Sequence, residues 1–174
     1  MRDRSGAVLA NFARTHFAAN AGHDEPWGYT ILDHAQVANG PFYRNSRVRI
    51  ADVTDGLSNT VFLGEHAVIA DKTWVGVVPG AEVCPLDPAR FPFTECDEAA
   101  TLVLFHSGPS ADELDVIHPP NSPLCHVCQV YSPFPGGACI LLGDGSVRFV
   151  SADINVDTWA ALCSINGGEP VGEY

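Results

Sequence analysis

The sequence predicts one α+β domain rich in β-structure, an antiparallel sheet or sandwich with one short helix near its C-terminal end. The length of 174 residues suits a single domain. Gly and Pro number 16 and 13, which favours a chain that turns often over a bundle of long helices. Apolar residues make up 46% and charged residues 17%, a balance typical of chains that fold.

The first sixty residues give only weak signals. Residues 5–20 are small and apolar and fit either a short helix or a strand, whereas residues 22–40 are polar, contain His and are predicted as a loop. Apolar and polar residues alternate over 47–50, which predicts a short strand. The segment 52–59 is rich in Asp, Ser, Asn and Gly and predicts a turn.

The middle of the chain contains three segments that predict strands. Residues 60–65 start with β-branched and aromatic residues, residues 73–78 end at a Pro-Gly pair, and residues 101–105 are mostly apolar. Residues 81–98 contain several Pro and two Cys and are predicted to be irregular. Residues 107–124 are polar and Pro-rich, which predicts a long surface loop of the kind that often carries function.

The strongest local signal is a hairpin in the last third of the chain. Two apolar strands are predicted over 138–142 and 147–150. The turn between them contains Asp144 and Gly145, and Asp-Gly between apolar strands strongly favours a β-hairpin.

A short amphipathic helix is predicted over 156–164, directly after the hairpin. Four apolar residues at positions i, i+3, i+4 and i+7 share one of its faces: Val156, Trp159, Ala160 and Cys163. Asn155 is suited to cap its N-terminus, and the Gly pair at 167–168 ends it.

The charge of the chain excludes some partners. Lys and Arg number 9 and Asp and Glu number 21, giving a net charge of −12, which repels nucleic acid and anionic lipid. We expect cations or a basic protein surface as partners. No apolar run approaches the length of about 18 residues that a membrane helix needs. The start is not a signal peptide, so we expect that a targeting segment, if the protein is exported, is missing from this sequence.

Six cysteines fit an oxidising compartment with up to three disulfides, and fifteen pairings are open. A reduced cytosolic protein with buried thiols is the alternative. Cys125 and Cys128 form a C-x2-C pair, which zinc sites also use. Together with Cys84, Cys96 or His118 the pair could build a zinc site. Assigning zinc from the sequence needs a second matching pair, and Cys84 and Cys96 are too far apart in sequence to be one, so disulfides are favoured over zinc.

Two long segments carry a family resemblance: RIADVTDGLSNTVFLGE at 49–65 and PGGACILLGDGSVRFV at 135–150. Residues 157–169 support it with DTWAAL and a final Gly-Gly-Glu. In this order the segments resemble the prepilin-type processing-associated His-x9-Asp-Gly domain family, a pseudopilin-like family of unknown function. The resemblance extends from about Phe12 to Glu169.

The resemblance implies an extracytoplasmic domain, secreted or in the cell envelope, that spans residues 1–174. Its relatives usually start with a prepilin-like segment and one membrane helix, which are missing here, and a membrane would be reached only through that helix. The resemblance implies a structural or interaction role through contact with other protein subunits, including further copies. The His of the family motif is replaced by Phe134 in this sequence.

The alternative function is a small metal-assisted hydrolase, such as a glycosidase or an esterase. Its catalytic candidates are Glu65 at the end of a predicted strand, His106 just after another, and Asp144 in the hairpin turn. Glu65 also fits a purely structural role, with its carboxylate accepting hydrogen bonds from the backbone of the neighbouring turn. Asp144 likewise fits the hairpin turn itself.

Calcium and zinc are the candidate metals. Major pseudopilins bind calcium in a C-terminal loop, and by analogy the Asp-rich turns could do so here. His and Cys side chains would instead favour zinc. The candidate ligands are Asp52, Asp55, His66, His118, Cys125, His126 and Cys128. Scattered surface or hydrogen-bonded His residues are the ordinary alternative.

Overall fold

The computed structural model of the protein describes residues 1–25, 33–67, 69–74, 78–92, 94, 96–98, 103–109, 115–172 and 174, and it confirms a β-rich α+β fold. Its strands are β1 (Arg2–Asp3), β2 (Phe17–Asn20), β3 (Val61–Glu65), β4 (Ala81–Val83), β5 (Asp97–Glu98), β6 (Leu104–Phe105), β7 (Gly137–Leu142) and β8 (Val147–Ser151). The helices are α1 (Val156–Cys163) and three short 3₁₀ helices, His34–Gln36, Ile50–Asp52 and Leu57–Asn59. Over these described residues, every helix is too short or too polar to cross a membrane.

The main sheet has five strands in the order β6-β2-β3-β7-β8. Neighbouring strands are antiparallel, except that β2 and β6 are parallel. The predicted hairpin is confirmed, with β7 and β8 paired from Gly137 opposite Ser151 to Leu141 opposite Val147. The strand predicted over 60–65 is confirmed as β3, in the centre of the sheet.

Helix α1 covers one face of this sheet and closes the main hydrophobic core. Its buried side chains Trp159, Leu162 and Cys163 pack with residues of β3, β6, β7 and β8. Asn155 caps the helix as predicted, since its side chain accepts a hydrogen bond from the amide of Thr158 (3.0 Å). The predicted apolar face was wrong at its first residue, because the side chain of Val156 lies in solvent at the first turn.

Asn20 ties the main sheet to the end of α1. Its buried side-chain amide donates to the carbonyls of Val61 and Cys163, at 2.8 Å each. Its side-chain oxygen accepts from the amide of Gly22 (2.8 Å). A buried amide is costly unless it is hydrogen-bonded, so these three bonds fix the relative positions of β2, β3 and the chain after α1.

Two strands of a smaller three-stranded sheet, β4 and β5, lie in the segment 81–98 that was predicted to be irregular, and β1 near the N-terminus pairs with β4. The prediction was wrong there because β4 and β5 are short and pair over a long sequence separation, with Glu82 opposite Glu98. A disulfide joins Cys84 and Cys96, directly beside these two strands.

The prediction of a strand at 47–50 was also wrong. The chain forms a 3₁₀ helix at Ile50–Asp52 instead. The carboxylate of Asp52 accepts hydrogen bonds from the backbone amide of Arg49 (2.8 Å) and from its guanidinium (2.7 Å). Such local bonds give the backbone an alternative to pairing in a sheet.

Two other predicted strands fall partly outside the described residues. Of the segment predicted at 73–78, residues 75–77 are outside, and Thr73 and Trp74 are not in a strand. Of the segment predicted at 101–105, the strand Leu104–Phe105 is confirmed and residues 101–102 are outside.

We expect Trp159→Ala to lower the free energy of unfolding by about 3–5 kcal/mol, because it removes the largest fully buried side chain of the core. The matched control is Trp74→Ala, since Trp74 is exposed and its indole makes one surface hydrogen bond to Thr15. The control should cost less than about 1 kcal/mol. Urea denaturation followed by circular dichroism measures both, and equal losses would contradict the assigned core.

Candidate functional site

Polar side chains gather inside the protein in a group that we call the histidine cluster. Its members are Glu25, His66, Lys72, His106, His118, His126, Cys128 and Gln129. His126 is half-buried and the others are buried. Ionisable groups are rarely buried together unless they contact one another or bind an ion, so this cluster is the best candidate for a functional site.

Backbone hydrogen bonds hold the segments of the cluster together. His106 directly follows β6, and its amide donates to the carbonyl of Cys128 (3.1 Å). The amide of His118 donates to the carbonyl of Ser107 (2.8 Å). The amide of Ser107 donates in turn to the carbonyl of Gly22 (3.0 Å), which brings the segment before Glu25 beside the end of β6.

The turn at 125–129 positions three more members. The side-chain oxygen of Gln129 accepts a hydrogen bond from the amide of His126. The ring of His126 lies edge-on to that of His118, with centroids 5.5 Å apart. The carbonyl of Gln129 accepts a hydrogen bond from Nδ1 of His66 (2.7 Å), so that nitrogen carries the proton of the neutral ring.

The two cysteines of the C-x2-C pair have different surroundings. Cys125 is buried in a small apolar cluster with Ile69 and Phe91. The sulfur of Cys128 instead lies 3.1 Å from Nε2 of His106. Both keep their thiols, so the prediction that these cysteines form disulfides was wrong, whichever partners they were to have.

Three ligand-type atoms converge in the centre of the cluster. The Sγ of Cys128 and the Oε1 of Glu25 lie 3.1 Å and 4.0 Å from the same atom, Nε2 of His106. All three atoms lie within 4.8 Å of one another, and all three residues are buried. A thiol, an imidazole and a carboxylate can each bind a transition metal.

This arrangement differs from a catalytic triad of Cys, His and carboxylate. In a triad the nucleophile contacts one nitrogen of the imidazole and the orienting carboxylate contacts the other. Here Glu25 and Cys128 both approach Nε2 of His106, so the carboxylate is not on the nitrogen that a triad requires. Convergence on one point fits the binding of a cation better than proton relay.

Two imidazoles of the cluster, those of His66 and His106, are neutral at physiological pH because their pKa values are lowered. Burial lowers the pKa of His106 to about 3, with a further contribution from the positive charges that His118 and His126 would bring. Burial and the charge of Lys72 hold the pKa of His66 well below its usual range. Neutral imidazole is the form that binds metals.

Lys72, the only lysine in the sequence, is buried. Its ammonium donates to the carbonyl of Leu104 (3.2 Å). Lys72 also contributes to the lining of a pocket of about 460 Å³ between the N-terminal segment and β4. All eight arginines are exposed, whereas the one lysine is buried beside the histidines.

The other two catalytic candidates have separate surroundings. Glu65 accepts a hydrogen bond from the amide of Cys139 on β7 (3.1 Å), which is a structural role with a different donor from the one expected. Asp144 is exposed in the hairpin turn and accepts bonds from the amide and hydroxyl of Ser146 (2.8 and 2.7 Å). The side-chain hydrogen bond from Ser146 lowers the pKa of Asp144. Glu65 therefore contacts the middle of β7, whereas Asp144 lies in the turn beyond the end of that strand.

The two aspartates proposed as calcium ligands bind the protein itself. Asp52 pairs with Arg49, and that hydrogen bond lowers its pKa to about 2. Asp55 accepts hydrogen bonds from the amides of Gly167 (2.8 Å) and Gly168 (2.9 Å) and from the hydroxyl of Ser164. Both carboxylates therefore hold loops in place.

Five members of the cluster were predicted as candidate site residues from the sequence, namely His66, His106, His118, His126 and Cys128. Glu25, Lys72 and Gln129 were missed. Glu25 follows His23 in a segment that was predicted only as a polar loop. The one available signal for Lys72 was that no other lysine occurs in the chain.

Comparison with known proteins gives one family. A family model described as a protein of unknown function (DUF1559) matches residues 8–157. No curated protein and no solved structure matches the chain.

We expect the stability of the protein to fall as the pH decreases below about 6.5, the pKa of histidine in unfolded chains. His66 stays neutral when folded but takes up a proton when unfolded, so its contribution is present above that pH and is lost towards acid. The slope from this residue is about 1.4 kcal/mol per pH unit.

His66→Asn keeps a donor for the Gln129 carbonyl and removes the titrating ring, so it should flatten the slope by that amount. Urea denaturation between pH 4.5 and 7.5 measures it. His16→Asn, at an exposed position, is the control. An unchanged slope in His66→Asn would show that this imidazole does not stay neutral inside the protein.

Proposed function

The chain belongs to the DUF1559 family of proteins of unknown function, and from that premise we propose that it is an extracytoplasmic, pseudopilin-like domain that works by contact with other protein subunits. The observation that carries the proposal is an exposed apolar surface on the last strand of the main sheet. We call this surface the apolar stripe.

The apolar stripe is built from alternate residues of the hairpin. Val147 and Phe149 are 68% and 53% exposed, and they point to the same side of β8 because side chains alternate along a strand. Leu141 and Cys139 lie directly opposite them on β7 and are half-exposed. Apolar side chains that share an exposed face in this way mark interaction surfaces more often than single exposed residues do.

The position of β8 supports the same interpretation. Among the described residues it is the edge strand of the five-stranded sheet, with β7 as its one neighbour in that sheet. An edge strand offers unpaired backbone groups, and a partner strand can add to it while its side chains cover an apolar face. The net charge of −12 favours a partner with a basic surface and disfavours nucleic acid.

The two segments of the family resemblance support a role in architecture. Residues 49–65 contain β3 and residues 135–150 contain most of the β7–β8 hairpin, and β3 pairs with β7 in the sheet. Phe134, which stands where the family motif has its His, is 60% exposed and lies before the start of β7. In this chain the motif keeps its Asp-Gly turn although its His is replaced by Phe134. A motif that keeps the turn and forms adjacent strands without the His fits a structural function.

The disulfide between Cys84 and Cys96 supports an extracytoplasmic location. Disulfides persist in oxidising compartments and are rare in the reducing cytosol. Both cysteines are exposed, so a reducing environment would reach them.

Site-specific photo-crosslinking in the native cells tests the interaction. p-Benzoyl-phenylalanine in place of Phe149 should give a discrete adduct with an exported protein or with a second copy of the chain. The same group in place of Leu86, which is exposed to a similar degree near the smaller sheet, is the control. Equal adducts at both positions, or adducts with cytosolic proteins alone, would contradict the proposal.

Thiol counting tests the compartment. Protein isolated from its native cells and denatured without reductant should show four thiols, because Cys84 and Cys96 are bonded and the other four cysteines are not. Replacing both bonded cysteines by Ser should lower the free energy of unfolding by about 3 kcal/mol, as estimated for a loop of 12 residues.

The matched control for this loss is Cys139→Ser, which removes a half-buried thiol and no disulfide. Six thiols in the native protein would place it in a reducing compartment and would remove this support for an extracytoplasmic domain.

A further inference from the structure

We propose that Glu25, His106 and Cys128 form a binding site for one transition-metal ion, with zinc as the best match. This site goes beyond the proposed function and does not depend on it, because it lies in the interior and involves no residue of the apolar stripe.

The geometry of the three donors is close to that of a metal site. Zinc binds sulfur at about 2.3 Å and nitrogen or oxygen at about 2.0–2.2 Å, so tetrahedral ligands are about 3.3–3.6 Å apart. Nε2 of His106 lies 3.1 Å from Sγ of Cys128 and 4.0 Å from Oε1 of Glu25. These distances lie on either side of the ideal values, so small side-chain rotations would place all three atoms around one ion.

The kinds of donor select the class of metal. Magnesium and calcium prefer sites made of oxygen, whereas a thiolate with an imidazole and a carboxylate suits zinc and related transition metals. A divalent ion would add to the positive charge of Lys72 in balancing the negative charges of a thiolate and a carboxylate, which are costly to bury without positive charge nearby. The rings of His118 and His126 lie within electrostatic range of His106.

A second group with the same types of residue does not qualify. Glu82 lies near Cys84 and Cys96, but those cysteines form the disulfide and have no thiolate to offer. Glu25, His106 and Cys128 differ because the sulfur keeps its thiol and all three side chains are shielded from solvent. Shielding from water strengthens the interaction of a cation with its ligands.

The ordinary alternative is a hydrogen bond between Cys128 and His106 with no metal. It predicts the same burial but no metal binding, so a binding measurement separates the two. Because the site is buried, metal should enter as the chain folds, and binding should stabilise the folded state.

Cobalt serves as a visible substitute for zinc. The full chain, with its disulfide intact, is unfolded in denaturant with chelator, freed of chelator, and refolded without oxygen in the presence of Co²⁺. We expect one equivalent of Co²⁺ per chain, displaced by Zn²⁺ but not by Ca²⁺. We also expect a near-ultraviolet charge-transfer band of the intensity that one thiolate ligand produces. If the unaltered protein did not bind one Co²⁺ per chain, or bound Co²⁺ without that band, the proposal would be overturned.

Variants then assign the ligands. Cys128→Ser and His106→Gln should each weaken Zn²⁺ binding at least about 100-fold, since loss of a direct ligand should exceed the 10- to 100-fold effect of outer contacts. Cys139→Ser, at a half-buried thiol outside the cluster, should bind as the unaltered protein does. Circular dichroism confirms that each variant is folded. Equal affinity in Cys128→Ser and Cys139→Ser would overturn the assignment.

Discussion

The indole of Trp159 joins the two parts of the interior on which the structure depends. Its ring lies nearly parallel to that of Phe105, with centroids 6.5 Å apart, in the main hydrophobic core. Its nitrogen donates to the carbonyl of His118 (2.8 Å), in the loop that supplies the histidine cluster. Phe105 and His106 are consecutive, and alternation along the chain sends one to the core and the next to the cluster. The packing of α1 therefore controls both the apolar and the polar interior.

The elements that could be predicted from the sequence are those specified by neighbouring residues. The turn at Asp144 and Gly145 fixes the β7–β8 hairpin, and Asn155 fixes the start of α1. The strands β4 and β5 escaped prediction because each is short and is stabilised by pairing with distant chain. The 3₁₀ helix at Ile50–Asp52 escaped because an alternating pattern was outweighed by bonds between neighbouring side chain and backbone.

The candidate site shows the same division. His106 and Cys128 could be named from their residue types, since His and Cys are common metal ligands. Their contact could not be predicted, because it depends on a loop that returns beside β6 after more than twenty residues. Glu25 joins them through a third segment, held by the carbonyl of Gly22. Because the three side chains come from distant parts of the chain, the sequence contains no short motif with metal-ligand spacing that would identify the site.

The segments that carry the family resemblance contain strands of the main sheet, and the residues of the proposed metal site lie outside them. A side chain at Gly64 would place its first carbon 2.5 Å from Val130, so this position must stay small for the core to close over β3. Glu65 and Asp55, in the same segment, each accept bonds from backbone amides. The donors Glu25, His106 and Cys128 fall in neither segment. The strands β3, β7 and most of the edge strand β8 therefore come from the segments that define the resemblance, whereas the three residues of the proposed metal site come from other parts of the chain.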